Sequence, residues 1–252
     1  MTYENKIQEI DKLNKEIQSF RPLPKELVKQ IKEYFRIGLT YSSNAIEGNT
    51  LTETETKVVL EDGLTIAGKP LKDHYEASGH SEAFDLIYDL AKKKTISETD
   101  ILNIHRLFYY RIDKKNAGKY RKFSVIITGT DFIPPGPDKV LVTMKKFSAS
   151  IPIMRKKLHP VIFAAKLHSE LVNIHPFIDG NGRTARLLFN LALFQAKYVI
   201  TVIPPVLRSD YIALIKRSQT GKKDETDFIN FMSCMVYESS RDYLRLLKQT
   251  SL

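Results

Sequence analysis

Twelve consecutive residues, His175 to Arg186, read HPFIDGNGRTAR and bring an imidazole, a carboxylate, two glycines and two guanidiniums into one short run. An unperturbed imidazole is largely neutral near pH 7 and can take a proton from a hydroxyl, so His175 is the candidate general base. Gly180 and Gly182 let the backbone turn with φ > 0 and bring unpaired N–H groups close to a ligand. With a helix start behind them they form a cradle for phosphate oxygens. Arg183 and Arg186 stand three apart and share a helix face, so both can reach a polyphosphate held over that turn. Asp179, beside the turn, is placed to hold a Mg²⁺ that bridges phosphates.

The elements that must position these groups are legible on either side. Pro176 disfavours a helical conformation at His175, so the preceding helix must end there and hand the imidazole to a loop. Behind it, Val161, Ala164, Ala165, Leu167, His168, Leu171, Val172 and Ile174 carry the spacing of an amphipathic helix. After the loop, Leu187, Leu188, Leu191, Ala192, Phe194 and Tyr198 repeat it. The predicted unit is a helix, a tight glycine-containing turn and a helix. The second helix opens with two arginines and no acid, against the partial positive charge its N-terminus already bears, and an anion would resolve that conflict.

This run resembles the signature of the Fic proteins, H-P-F-x-D/E-G-N-G-R-x-x-R. Every fixed position is present: His175, Pro176, Phe177, Asp179, Gly180, Asn181, Gly182, Arg183 and Arg186. The resemblance implies that the His deprotonates a Ser, Thr or Tyr hydroxyl of a target protein, which attacks the α-phosphate of ATP and retains AMP. It further implies that the Asp binds Mg²⁺ (or Mn²⁺), that the Gly-Asn-Gly turn holds the phosphates, and that the arginines bind the outer ones. Upstream, Ser43, Glu47 and Gly48 match the inhibitory pattern S/T-x-x-x-E-G/N known in the same family. Ser43 and Glu47 lie four apart and so face the same way on a helix. A Glu47 carboxylate paired with Arg186 would occupy the guanidinium needed by the γ-phosphate and misalign ATP. The resemblance also points to nucleotide-base contacts near Tyr211 and Gln219, the latter departing from the Asn expected there.

Between Gly118 and Val140 the pattern changes. Phe123 to Thr128 is rich in β-branched residues and bounded by Gly129, Pro134, Pro135, Gly136 and Pro137, which predicts a short strand or hairpin. In Fic proteins a comparable flap aligns the target backbone by strand pairing, and Gly118, Tyr120, Arg121, Pro134 and Pro135 resemble its flanks. The expected fold is therefore all-α, a mostly helical domain with a β-hairpin flap over the active site. Its parts are a helical extension over 1–39 and a Fic domain over 40–252. The latter contains the inhibitory helix (about 40–48), the flap (about 118–140), the motif 175–186 and C-terminal helices.

Other features are read as structural. The stretch Gly63 to Pro70 nearly spells a phosphate-binding P-loop, but Pro70 stands where a Ser or Thr should hold Mg²⁺ and no strand precedes it. His74 and His80 are six apart, the wrong spacing for two ligands on one helix face. His105 and His168 are expected to be packed and hydrogen-bonded. With 42% hydrophobic residues in 252, the chain can bury a real core. The net charge of +10 is read as a solvated surface, because the runs Lys92–Lys94, Arg155–Lys157 and Lys222–Lys223 are short and scattered. Nucleic acid is thus not an expected partner. Nor is a membrane, since no apolar stretch approaches 18 residues. A single cysteine, Cys234, allows no intrachain disulfide and suits a reducing, cytoplasmic setting. Oligomer dissociation, a partner, metal exchange or movement of the Glu47 helix all stay open as ways of lifting inhibition, so a homo-oligomer remains among the expected assemblies. Three other functions stay open as well: hydrolytic removal of AMP, transfer of another nucleotide or a phosphoryl group, and a non-enzymatic nucleotide- or nucleic-acid-binding module.

Overall fold

A computed structural model describes residues 2–219 and 224–250; the Lys222–Lys223 pair lies outside them. The α-helices are α1 (Ile7–Ser19), α2 (Lys25–Ile46), α3 (Glu53–Lys57), α4 (Leu71–Leu90), α5 (Glu98–Tyr109), α6 (Pro137–Lys157), α7 (Pro160–Ile174), α8 (Asn181–Gln195), α9 (Arg208–Gln219) and α10 (Thr226–Thr250). Helix α8 is the axis of the structure. Leu187, Leu188, Phe189, Leu191, Ala192 and Leu193 are all buried, on every side of the helix rather than along the one stripe expected. A helix that is apolar all round belongs at the centre of a bundle. Around it pack α7, α4, α5 and α2, while α1 pairs with α10.

Helix α2 runs unbroken from Lys25 to Ile46, so the boundary expected at 39/40 falls inside one helix. Its Ile31, Phe35, Leu39 and Ile46 join Ile10 and Ile17 of α1 in the same core as α7 and α8. The α7–α8 connection forms as predicted. Pro176 follows His175, which leaves α7 in the left-handed conformation with φ 50° and ψ 56°. Gly180 at φ 77° then caps the start of α8. Helix α8 ends at Gln195, so Tyr198 lies beyond it.

The predicted hairpin does not form. Residues 118–136 contain no helix, and no strand occurs among the described residues. Phe123, Ile126 and Ile133 are 70%, 96% and 85% exposed, so the β-branched run has no core face to cover. An isolated two-stranded ribbon is marginal in water without one. The near-P-loop at 63–70 is closed by His74 instead of by a phosphate: its Nε2 accepts from the Ile66 N–H at 2.8 Å and its Nδ1 lies 2.9 Å from the Pro70 carbonyl.

Candidate functional site

The loop that presents His175 is braced from three directions. The Asn181 side-chain oxygen accepts from the Phe177 N–H at 2.9 Å and its amide donates to the Phe177 carbonyl at 3.0 Å, so Asn181 staples the turn across its base. His105 Nδ1 accepts from the Gly118 N–H at 2.9 Å, which leaves Nε2 to donate to the Asp179 carbonyl at 3.1 Å. The His105 ring stacks on Phe177 at 3.7 Å, and burial pushes its pKa down to about 4, so it stays neutral as this bridge requires. Arg121 Nε donates to the His175 carbonyl at 2.7 Å and its backbone N–H to Pro176 at 2.9 Å. The same guanidinium also donates to the Phe123 and Pro135 carbonyls, tying both arms of the 118–136 segment to the loop that presents His175. Burial lowers the His175 pKa and Arg121 adds to that effect, while the Val172 carbonyl and the Asp179 and Glu47 carboxylates oppose it. The net result is an imidazole held in its neutral form, with a free lone pair to accept a proton.

At the start of α8, Gly180 is required by its left-handed φ of 77° and its packing, whereas Gly182 lies inside the helix without a positive φ and meets chiefly the Glu47 side chain. A Cβ on Gly180 would stand 2.6 Å from the Phe108 ring, and one on Gly182 would collide with Glu47 Oε1. The second contact locates the Glu47 carboxylate directly over the amide cradle. Its Oε1 accepts from Arg186 Nη2 at 2.7 Å, while Arg186 Nε donates to Ser43 Oγ at 2.9 Å and Nη2 to the Ser43 carbonyl at 2.8 Å. Burial alone would raise the Glu47 carboxyl, but Arg186 and Arg183 outweigh it and hold its pKa below the usual carboxylate range. The C-terminal turn of α2 that carries Glu47 is itself held, because Arg208 Nε donates to the Ile46 carbonyl at 2.6 Å.

Arg183 lies 2.7 Å from Glu76 Oε1 and 3.7 Å from Asp179 Oδ2, with its guanidinium 4.3 Å above the Phe108 ring. It is 3% exposed, as buried as Arg186 at 2%. Asp179 keeps nearly half of its side chain exposed. Among the described residues no cluster of three His, Cys, Asp or Glu side chains could hold a metal. One accessible carboxylate suits a Mg²⁺ that takes most of its ligands from phosphates and water.

Two expected base contacts stand differently. Tyr211 is wholly buried behind the site, its hydroxyl 2.7 Å from His168 Nε2 and accepting from Arg186 Nη1 at 3.3 Å. It buttresses the guanidinium and has no open face for a base. Gln219 donates to Asn173 Oδ1 at 2.9 Å and lines a cleft of about 640 Å³ with Phe132, Ile133, Lys139 and Asn173. Ile174, the residue before His175, also lines that cleft, which is large enough for a nucleoside. Sequence reasoning gave no role at the site to Glu76, Phe108 and Arg208, which lie far from the motif in the chain, or to Asn49, which follows Gly48 directly but carries no signature of its own.

Residues 95–193 match the Fic/DOC family. The chain is 38% identical over 195 residues to a protein of Drosophila grimshawi named protein adenylyltransferase Fic, covering 77% of this chain and 40% of that one. It is 35% identical over 233 residues to the same-named protein of Drosophila persimilis, covering 91% and 45%. The chain thus spans less than half the length of these relatives. In structure it is similar to residues 134–508 of Fic-1 from C. elegans, at TM-score 0.86 and 29% identity over 96% of this chain and 72% of that one. It is equally similar to a Fic-domain signalling protein of Bacteroides thetaiotaomicron, at TM-score 0.87 and 29% identity over 95% and 97%.

Proposed function

The chain carries a Fic domain, and from that premise we propose that it is a protein adenylyltransferase, moving AMP from ATP to a Ser, Thr or Tyr hydroxyl of a target protein and of itself, and held in check by Glu47. The observation that carries this reading is the Glu47 carboxylate lying over Gly182 and paired with Arg186 at 2.7 Å. An anion already occupies the cradle that the outer phosphates need.

His175 takes the proton of the attacking hydroxyl. The freed oxygen forms a bond to the α-phosphorus while the bond to the bridging oxygen breaks, and its electron pair leaves with pyrophosphate. The departing charge faces the N–H groups at the start of α8 and, once Glu47 has moved, Arg186. Asp179 would hold a Mg²⁺ (or Mn²⁺), which when bound supplies further neutralisation of the phosphates. The 118–136 segment, anchored by Arg121 with Phe123, Ile126 and Ile133 exposed, serves as the flap. It pairs with the target backbone on docking and becomes a strand only then. The nucleoside sits in the cleft lined by Asn173 and Gln219.

A second reading has one observation in its favour. Glu47 is ionised and about a third exposed, so it could orient water to remove AMP from a modified target. Both directions are tested together by offering Mg-ATP or preassembled AMP-protein to wild type and to Glu47→Gly, and weighing the products for one AMP moiety. The transfer reading expects AMP gain in the variant. Faster AMP loss with wild type than with the variant would favour hydrolysis.

A further inference from the structure

We propose that Glu76 of α4 is a positioning residue for Arg183 and that Asn49 is the strut that fixes Glu76 against the end of α2. The proposal rests on the nucleotide-binding part of the reading above. A guanidinium buried to 3% needs a compensating charge, and Glu76, itself 4% exposed, supplies it at 2.7 Å. The Phe108 ring closes one face at 4.3 Å. The Glu76 contact is an ion pair rather than a hydrogen bond, for Nη1 and Nε are both buried without a hydrogen-bond partner, while Nη2 is turned toward Asp179 at 3.7 Å. An orphaned buried donor beside the loop is what a group awaiting a phosphate oxygen leaves behind.

Glu76 is in turn fixed from α2. Asn49 Nδ2 donates to Glu76 Oε2 at 2.9 Å and to the Asp73 carbonyl at 3.1 Å. The Asn49 backbone N–H donates to the Asn44 carbonyl at 3.1 Å, inside the turn that carries Glu47. Lys72 lies further off, 3.6 Å from Glu76 Oε1. The two arginines are therefore served by two carboxylates with different tasks. Glu47 covers Arg186 from the phosphate side, whereas Glu76 braces Arg183 from behind. A pre-aimed guanidinium binds developing charge without reorganising, and an unbraced one does not.

The test measures ATP affinity in Glu47→Gly protein, where the cradle is open, by isothermal titration calorimetry. Glu76→Gln is expected to weaken the ATP Kd by ~10-fold, since misplaced binding groups cost up to ~10²-fold. Glu76→Asp should restore part of it. Asn49→Ala, which leaves the ion pair in place and keeps the test available if Glu76→Gln folds poorly, should weaken binding by about threefold, the value of one modest hydrogen bond. Adding Glu76→Gln to Arg183→Gln should bring no further loss, because both remove one unit. Lowered Tm with the ATP Kd unchanged within about twofold, or additive losses in the double variant, would overturn the proposal. Weakened binding as predicted, in a protein that never transfers AMP, would uphold it and defeat the transfer reading. Failure of Glu47→Gly itself to bind ATP would defeat both.

Discussion

At the residue scale, the side chains proposed to meet ATP are each held by others: His175 by Arg121, Asp179 by His105 and Arg183 by Glu76. His175 is kept neutral by burial and by Arg121, so the acid limb of kcat/KM in Glu47→Gly protein should inflect below the ordinary imidazole value of about 6.5. A limb above it would mean the base is not the group described. Gly180 combines φ 77° with a Cβ position 2.6 Å from Phe108. Gly180→Ala should therefore destabilise the fold by about 1–3 kcal/mol and lower Tm in a thermal melt. The motif residues were legible in the sequence because their chemistry is dense and contiguous. Glu76 and Phe108 were not, because a buried carboxylate or ring on a distant helix looks like any other until the fold brings it to Arg183, and Asn49, next to Gly48, shows its role only through its bond to Glu76. The base contact near Tyr211 was expected from the family resemblance alone, whereas the Tyr211 ring is buried behind Arg186.

At the scale of elements, α7 and the loop after it follow directly from apolar spacing and Pro176, and the turn at Gly180 from the need for a positive φ. The total burial of α8 was less evident, since a stripe of leucines reads as one face until α2, α4 and α5 close around the rest. The flap shows the opposite failure. A β-branched run reads as a strand, but strand pairing needs a partner or a core face, and this segment has neither by itself. Arg121 stands in for that missing ladder by holding Phe123, Pro135, His175 and Pro176 together. Arg121→Ala should consequently lower labelling of target proteins by ~10-fold or more while ATP affinity stays within about twofold. Equal labelling by both proteins would remove the segment from target alignment.

At the scale of the whole molecule, one core joins α1 and α2 to α7 and α8, so the turn that carries Glu47 is part of the same packed unit as the site it covers. That core encloses His80, His105 and His168, whose pKa values burial pushes down to about 3, about 4 and about 3. Each binds its proton more weakly folded than unfolded, so the unfolded chain takes up more protons as pH falls. Stability should be full above about pH 6.5 and decline progressively as pH falls toward 4, which Tm measured across that window will report. No helix among the described residues is long and apolar enough to cross a membrane. The central claim is that this site transfers AMP and that Glu47 blocks it. The most direct measurement is incorporation of label from the α-phosphate of ATP into protein, with wild type, Glu47→Gly and Glu47→Gly/His175→Ala compared in one lysate with Mg²⁺. Strong labelling by the single variant, weak labelling by wild type and none by the double variant are expected. Equal labelling by wild type and Glu47→Gly would contradict the brake, and labelling that survives loss of His175 would contradict the chemistry.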